Sequence, residues 1–307
     1  MSDQHRHTRI EGLPYALGTH AIWGAMPLYL TLVHSVPPIE FVAWRVIFTL
    51  PLCLAFLAWR GQWGEVLRAF SDKRAVLALL GSSLMIGINW VLYVVAIQTD
   101  HVYAASLGYY ILPLVMMLMG LVVLKERLTR FQWGAVALAA AGVAVLAAGA
   151  LSTLLFSLTM AVTFGIYGLV RKMVHVGPLA GMTVETLLLY LPAIGLAGWF
   201  ALQPSGSAIA HSWGLAGAIV LGGPMTAIPL VMFATAARKM DYTVIGFLQF
   251  LSPTIVFLLG LFYFHEQLKP AQLGCFVLIW AAMALFVWDL FGGRRPRPES
   301  LAAEPPA

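Results

Sequence analysis

The chain has 307 residues, of which 61% are hydrophobic and 10% charged, and its formal net charge is +5. Soluble domains are about 45–50% apolar and about 25% charged, so this composition excludes a water-soluble globular domain and makes lipid the solvent for most of the surface. The positive balance does not indicate nucleic acid, because the basic residues lie between apolar runs rather than along one stripe.

Taken in chain order, runs of about 20 apolar residues, the length a bilayer requires, predict ten helices. They cover 13–33, 38–59, 75–98, 102–124, 131–149, 151–170, 179–201, 214–237, 242–264 and 271–291. The expected fold is all-α and integral to the membrane. Only 60–74 and 202–213 are sizeable polar connections, residues 1–12 are a short N-terminal tail, and 292–307, rich in Pro, Arg and Ala, is a disordered one. The first apolar run continues as a span, so no cleavable signal peptide is expected. Cys53 and Cys275 both lie inside spans and read as packing residues, without a metal or disulfide motif.

Direction follows from the Lys and Arg content of the connections. With both termini in the cytoplasm, the cytoplasmic segments hold Arg6, Arg9, Arg60, Arg68, Lys73, Arg74, Lys125, Arg127, Arg130, Arg171, Lys172, Arg238, Lys239, Arg294, Arg295 and Arg297, which is 16 of 18 basic residues. The outer connections hold only Lys269, and Arg45 lies within a span. The predicted location is the inner membrane, multi-pass, with both termini inside.

The sequence matches itself at a shift of 140 residues. Residues 105–146 align without a gap on 245–286, with 11 identities in 42 positions, among them Pro113/Pro253, Gly120/Gly260, Glu126/Glu266, Leu128/Leu268, Gln132/Gln272 and Gly134/Gly274. The same shift sets Pro38 on Pro178 and Arg45 on Glu185. Five crossings reverse direction, so two five-helix repeats, 13–149 and 151–291, would have opposite orientations. The basic segment Lys125-Glu126-Arg127 and its thinner partner His265-Glu266-Gln267 fit that opposition. Such inverted-topology repeats are a transporter architecture, because exchanging the conformations of two similar halves moves access from one side to the other.

Several segments carry a family likeness in order and spacing. They include Gly18-Thr19-His20-Ala21-Ile22-Trp23-Gly24, Trp44-Arg45-Val46, Asn89-Trp90 and Ala105-Ser106-Leu107-Gly108-Tyr109-Tyr110-Ile111-Leu112-Pro113. Further along come Lys125-Glu126-Arg127-Leu128, Tyr167-Gly168-Leu169-Val170-Arg171-Lys172, Glu185-Thr186, Gly246-Phe247-Leu248-Gln249-Phe250, Trp280 and Asp289. From about Leu13 to Asp289 the chain resembles the RarD subfamily of EamA transporters, in the drug/metabolite transporter superfamily. The resemblance implies ten helices, a central substrate cavity between the halves, and export of small metabolites or drugs. Proteins of that subfamily are often labelled chloramphenicol-sensitivity or chloramphenicol-resistance permeases, a label that fixes no physiological substrate.

A charge at the bilayer centre costs at least about 2.5–3.5 kcal/mol, so ionisable residues inside spans need a reason. Arg45 and Glu185 each lie seven residues past the proline that opens their span. That puts each about 10 Å in, from opposite faces of a core about 30 Å thick. Two readings stay open: the pair flanks the solute, or it is a structural ion pair joining the halves. Glu185 is also a candidate carrier of a coupling proton. Glu40, two residues after Pro38, reads as an interfacial helix cap, Asp100 and Asp241 as N-caps, Glu126 and Glu266 as turn-fixing, and Asp289 as solvated.

The uncharged cavity candidates are His20, Trp23 and Pro27 in the first helix, Asn89, Trp90 and Tyr93 in the third, and Ser106, Tyr109, Tyr110 and Pro113 in the fourth. The second half adds Tyr167, Tyr190, Thr226, Gln249, Phe250 and Ser252. Aromatic and amide groups at mid-depth suit a partly apolar organic solute better than a bare ion, although the same residue types also pack helices and form interfacial belts. His20 by itself reads more readily as a hydrogen-bonded packing residue. Pro27, Pro51, Pro113, Pro192, Pro224, Pro229 and Pro253 are candidate bends. The Ala- and Gly-rich fifth helix and the tenth lack polar residues at depth, which suits a structural or homodimer-forming role.

An intramembrane enzyme is the main competing class. The chain has no His-Glu-x-x-His site, no Gly-x-Ser-x-Gly elbow, no paired Asp motif and no phosphate-cradling loop, so no cofactor is expected and ATP does not drive it from within. A channel would need a filter or a line of carboxylates, and neither is visible. The reading is a secondary transporter of small organic solutes, with solute and lipid as its partners. Reporter fusions at Ala307 test the orientation: a fluorescent protein there is expected to light up, and an alkaline phosphatase there to stay inactive.

Overall fold

The computed structural model describes residues 2–98, 102–148, 154–265 and 270–292. Asp100, Glu266, the side chain of Ser106 and the tail from residue 293 lie outside the described residues. Every regular element among the described residues is helical. The principal helices are α1 (Ser2–Leu30), α2 (Pro38–Arg60), α3 (Trp63–Ser71), α4 (Lys73–Gln98), α5 (Val102–Val122), α6 (Arg130–Ala148), α7 (Leu154–Met173), α8 (Pro178–Ala201), α9 (Trp213–Lys239), α10 (Tyr242–Leu248), α11 (Leu251–Phe262) and α12 (Pro270–Gly292). Nine helical stretches among the described residues are long and apolar enough to cross a membrane, and Leu107–Val122 within α5 is a shorter apolar one. The protein is an all-α, multi-pass membrane protein.

Two details depart from the sequence reading. The polar connection 60–74 contains α3, a short helix that buries Val66 and Ala69 against α4 and α8 and leaves Trp63, Leu67 and Phe70 exposed. The span 242–264 is two helices, α10 and α11, which together fill Tyr242–Phe262. The break falls at Gln249 and Phe250, where the amides of Phe250 and Ser252 reach back only three residues, each at 3.2 Å. Pro253 accounts for it, since its missing N–H and its ring both disfavour a helical bond to the carbonyl four residues back. Pro27, Pro51, Pro113, Pro192, Pro224 and Pro229, by contrast, lie inside continuous helices.

Neighbouring hydroxyls serve backbone carbonyls along the proline-rich α9. Tyr29 donates to the Ala218 carbonyl at 2.9 Å, Thr49 to Gly223 at 3.3 Å and Thr19 to Pro229 at 3.1 Å. Lipid offers no such acceptors, so these buried hydroxyls find theirs within the protein.

The halves share local geometry at positions 140 residues apart. At the end of α5 the amides of Val123 and Leu124 both bond the Met119 carbonyl, and at the end of α11 those of Tyr263 and Phe264 both bond Leu259. Lys125 and His265 follow with φ of 55° and 54°, the two non-glycine residues with positive φ among those described. Packing partners also correspond. α1 packs on α9 and α11, α7 on α4 and α5, α2 on α8 and α9, α8 on α4, α5 on α10, and α6 on α12. Exchanging α1 with α7, α2 with α8, α4 with α9, α5 with α10–α11 and α6 with α12 leaves that set of neighbours unchanged.

The crossing of α2 and α9 is close because Gly223 has no side chain. A Cβ there would lie 2.5 Å from the backbone oxygen of Phe48, whereas one on Gly217 of the same helix would meet nothing within 4 Å. Gly223→Ala must push the helices apart or strain them, a change that costs about 1–3 kcal/mol. It is expected to lower the thermal midpoint in detergent clearly, with Gly217→Ala close to the native value.

Candidate functional site

Helices α2, α4, α7, α8 and α9 line a partly open cavity of about 10 Å³, the space of roughly one water. Its wall includes Thr49, Trp90, Tyr167, Glu185, Thr186 and Thr226, with Val46, Ile86, Met182, Leu189 and Leu230 supplying apolar surface. Four of the residues expected from the sequence, Trp90, Tyr167, Glu185 and Thr226, therefore meet at one place. Arg45 adjoins it: its Nε donates to Thr226 Oγ1 at 2.8 Å, and its guanidinium carbon lies 5.3 Å from the Trp90 ring centroid and 5.6 Å from that of Phe41. Tyr93 and Tyr109 extend this neighbourhood, with ring centroids 6.2 Å apart and both within electrostatic reach of Arg45.

Arg45 and Glu185 do not form an ion pair. Glu185 instead accepts a hydrogen bond from Ser82 and faces Arg171, whose Nε lies 3.7 Å from Glu185 Oε1. The direction of helical side chains explains this. Each Cα–Cβ bond tilts toward the N-terminus of its helix. Arg45 therefore leans toward the Pro38 end of α2 and Glu185 toward the Pro178 end of α8, so the two lean apart.

The same lean turns Arg171, in the last turn of α7, back into the protein, where it is 1% exposed. Its Nη2 donates to the Pro178 carbonyl at 2.8 Å. Gly181 makes the berth, because a Cβ there would stand 1.8 Å from Arg171 Nη1. The sequence counts Arg171 among the basic residues of the cytoplasmic segments. The signal for its burial was its position inside the last helical turn rather than beyond it.

The other expected residues lie outside the cavity wall, in contacts between helices. His20 Nδ1 is 3.3 Å from Ser252 Oγ, which also bonds the His20 carbonyl at 3.1 Å. His20 Nε2 and Gln249 Oε1, both buried, have no hydrogen-bond partner among the described residues. Trp23 packs on Phe164 and Phe233, with centroids 5.5 and 5.6 Å away. Asn89 donates to the Met160 carbonyl at 2.8 Å and to Thr163 at 3.3 Å, tying α4 to α7. Tyr110 meets Phe276 of α12 edge to face.

Three acids differ from the expectation. Glu40 does not cap its own helix. Its Oε1 accepts from Trp44 Nε1 at 3.1 Å, Ser207 Oγ at 2.5 Å and the Ala208 amide at 2.9 Å, so it anchors the 202–213 connection to α2. Asp241 occupies the N-cap position of α10 without a side-chain capping bond. Glu126 supplies the cap, accepting from the amides of Tyr242 at 2.7 Å and Thr243 at 2.8 Å. A carboxylate suits a helix N-terminus because the free amides and the dipole both favour negative charge. Asp289 is buried, not solvated, and accepts from Thr129 Oγ1 at 2.8 Å.

Removing one partner of a buried pair strands the other charge, at about 3–5 kcal/mol, whereas replacing both with apolar residues is often neutral. Glu185→Met and Arg171→Met are each expected to lower the thermal midpoint strongly, and the double variant to recover most of the loss, as read by fluorescence-detected size exclusion on heating.

Residues 10–148 match the model of the EamA-like transporter family. The chain is 38% identical over 296 residues to a protein named RarD from Streptomyces exfoliatus, covering 96% of this chain and 94% of that one. It is 40% identical over 292 residues to an uncharacterized transporter of Pseudomonas aeruginosa, covering 93% and 96%, and 34% identical over 282 residues to the RarD protein of Escherichia coli, covering 91% and 94%. A solved crystal structure with 20% sequence identity superposes with a TM-score of 0.71 over 90% of this chain and 97% of its own, which is a likeness of fold. The chain belongs to the EamA-like transporter family of drug/metabolite transporters, in its RarD group.

Proposed function

We propose that this protein is an inner-membrane secondary transporter that exports small organic metabolites or drugs by alternating access, with both termini in the cytoplasm. The observation that carries the proposal is the cavity, whose largely apolar wall includes Trp90 and Thr49 from the first half and Tyr167, Glu185 and Thr226 from the second. A site shared between two similar halves is what a rocking exchange requires. The matched turns at Lys125 and His265 and the exchangeable packing partners support reading the halves as repeats. Their opposite orientation follows from an odd number of crossings in each.

Magnitudes favour a moving carrier over a fixed pore. A small-molecule pocket spans about 300–1,000 Å³, far above the about 10 Å³ found here, so a solute enters only when the halves part. Uptake into proteoliposomes is expected to saturate and to accelerate when the inside is preloaded with the same solute. Trp90→Ala should raise the half-saturation concentration about two- to tenfold, the range an aromatic contact commands. Flux that rises linearly with concentration, without counterflow, would mean a channel instead.

A further inference from the structure

We propose that Arg45 is an anion subsite, and that the transported solute carries a carboxylate or similar anionic group that docks on its two terminal nitrogens. The assignment rests on the transport reading and narrows it to a class of solute.

The argument begins with what answers the charge of Arg45. Its partners among the described residues are one hydroxyl and two aromatic rings. The rings of Trp90 and Phe41 attract the cation, but the guanidinium N–H donors point outward in the plane of the group, where only an acceptor can meet them. Nε already has Thr226, whose own hydroxyl is fixed by donating to the Gly222 carbonyl at 2.7 Å. Nη1 and Nη2 donate to none of the described residues.

Nor does any described carboxylate neutralise Arg45. Glu185, the acid expected from the sequence, is held by Ser82 and Arg171. Glu40, one turn earlier on α2, spends its Oε1 on Trp44, Ser207 and Ala208. The other ionisable groups around Arg45 are the phenols of Tyr29, Tyr93 and Tyr109, which are uncharged at neutral pH, and Tyr29 is committed to the Ala218 carbonyl.

The surroundings form a berth for a solute. Thr226 fixes the inner edge of the guanidinium and leaves the two terminal nitrogens side by side, the fork that matches the two oxygens of a carboxylate. Tyr109 keeps 38% of its surface exposed beside Tyr93, and both rings, with Trp90, offer apolar faces to the body of the solute. Glu185, in the cavity wall, is compensated by Arg171 behind it and does not oppose an anion as a free carboxylate would.

The test titrates the full-length protein in nanodiscs with benzoate and with its uncharged isostere benzamide, at neutral pH. Benzoate is expected to bind at least about tenfold more tightly, as charged hydrogen bonds of this kind require. Arg45→Gln should bring the two affinities together, and Arg45→Lys, which keeps the charge but loses the fork, should retain only part of the preference. Equal affinities in the native chain, no binding of benzoate, or a preference that survives Arg45→Gln would overturn the proposal. If Arg45→Gln fails to fold, an undiminished preference in Arg45→Lys would overturn the two-point docking. Parallel flux assays separate the two claims: saturable counterflow of benzamide that benzoate does not inhibit defeats the anion subsite and leaves transport standing. Benzoate binding without saturable flux of any solute does the reverse.

Discussion

Lipid supplies no hydrogen bonds, and every polar group drawn into the membrane must find its partner within the protein. That constraint organises the whole molecule. It sets hydroxyls of α1 and α2 against the carbonyls of α9, and the carboxylate of Glu126 on the free amides that begin α10. It also holds Glu185 between Ser82 and Arg171. Where the constraint is met, helices are locked together. It is met only in part at Arg45, and at His20 Nε2, Arg171 Nε and Nη1 and Gln249 Oε1, which have no hydrogen-bond partner among the described residues.

Much of the fold is legible in the sequence because hydrophobic run length maps directly onto bilayer thickness. The 140-residue shift likewise anticipates the paired turns, since Lys125 and His265 end their helices with nearly the same backbone angle. Depth along a helix can be counted from the proline that opens it, which sets Arg45 and Glu185 each about 10 Å into the membrane. Counting does not give the lean of the side chain or the identity of its lateral neighbour. Mirrored depth therefore leaves an ion pair between Arg45 and Glu185 open, and a position past the end of its apolar run assigns Arg171 to the cytoplasmic segments. The same holds for Asp289 and Glu40, since each lies near a helix end yet faces a neighbouring segment, Thr129 in one case and Ser207 in the other. The split between α10 and α11 was equally hidden: six other prolines sit in unbroken helices, so Pro253 alone did not announce it.

The arrangement suggests how the central site divides its labour. The Glu185–Arg171 pair lies toward the end of the bundle that carries Lys172 and Arg238, and the Arg45–Thr226 contact lies toward the opposite end. Each half thus brings one charged helix to the cavity, α2 with Arg45 and α8 with Glu185, and these two helices also pack on one another. A movement that parts the halves at one end must slide α2 against α8, so the cavity and the helix contact change together. Lys172 and Glu126 brace the basic end in this conformation, Lys172 through the carbonyls of Ala237 at 2.9 Å and Met240 at 2.5 Å.

The central claim is that the two ends open alternately around one site. It is tested most directly by spin-label distances in a chain without its native cysteines. One label pair, at Arg60 and Met173, spans the halves at the basic end, and another, at His34 and Ser205, spans them at the opposite end; all four residues are exposed. The account predicts that any condition lengthening one distance shortens the other. Two distances that stay fixed, or that lengthen together, would contradict it.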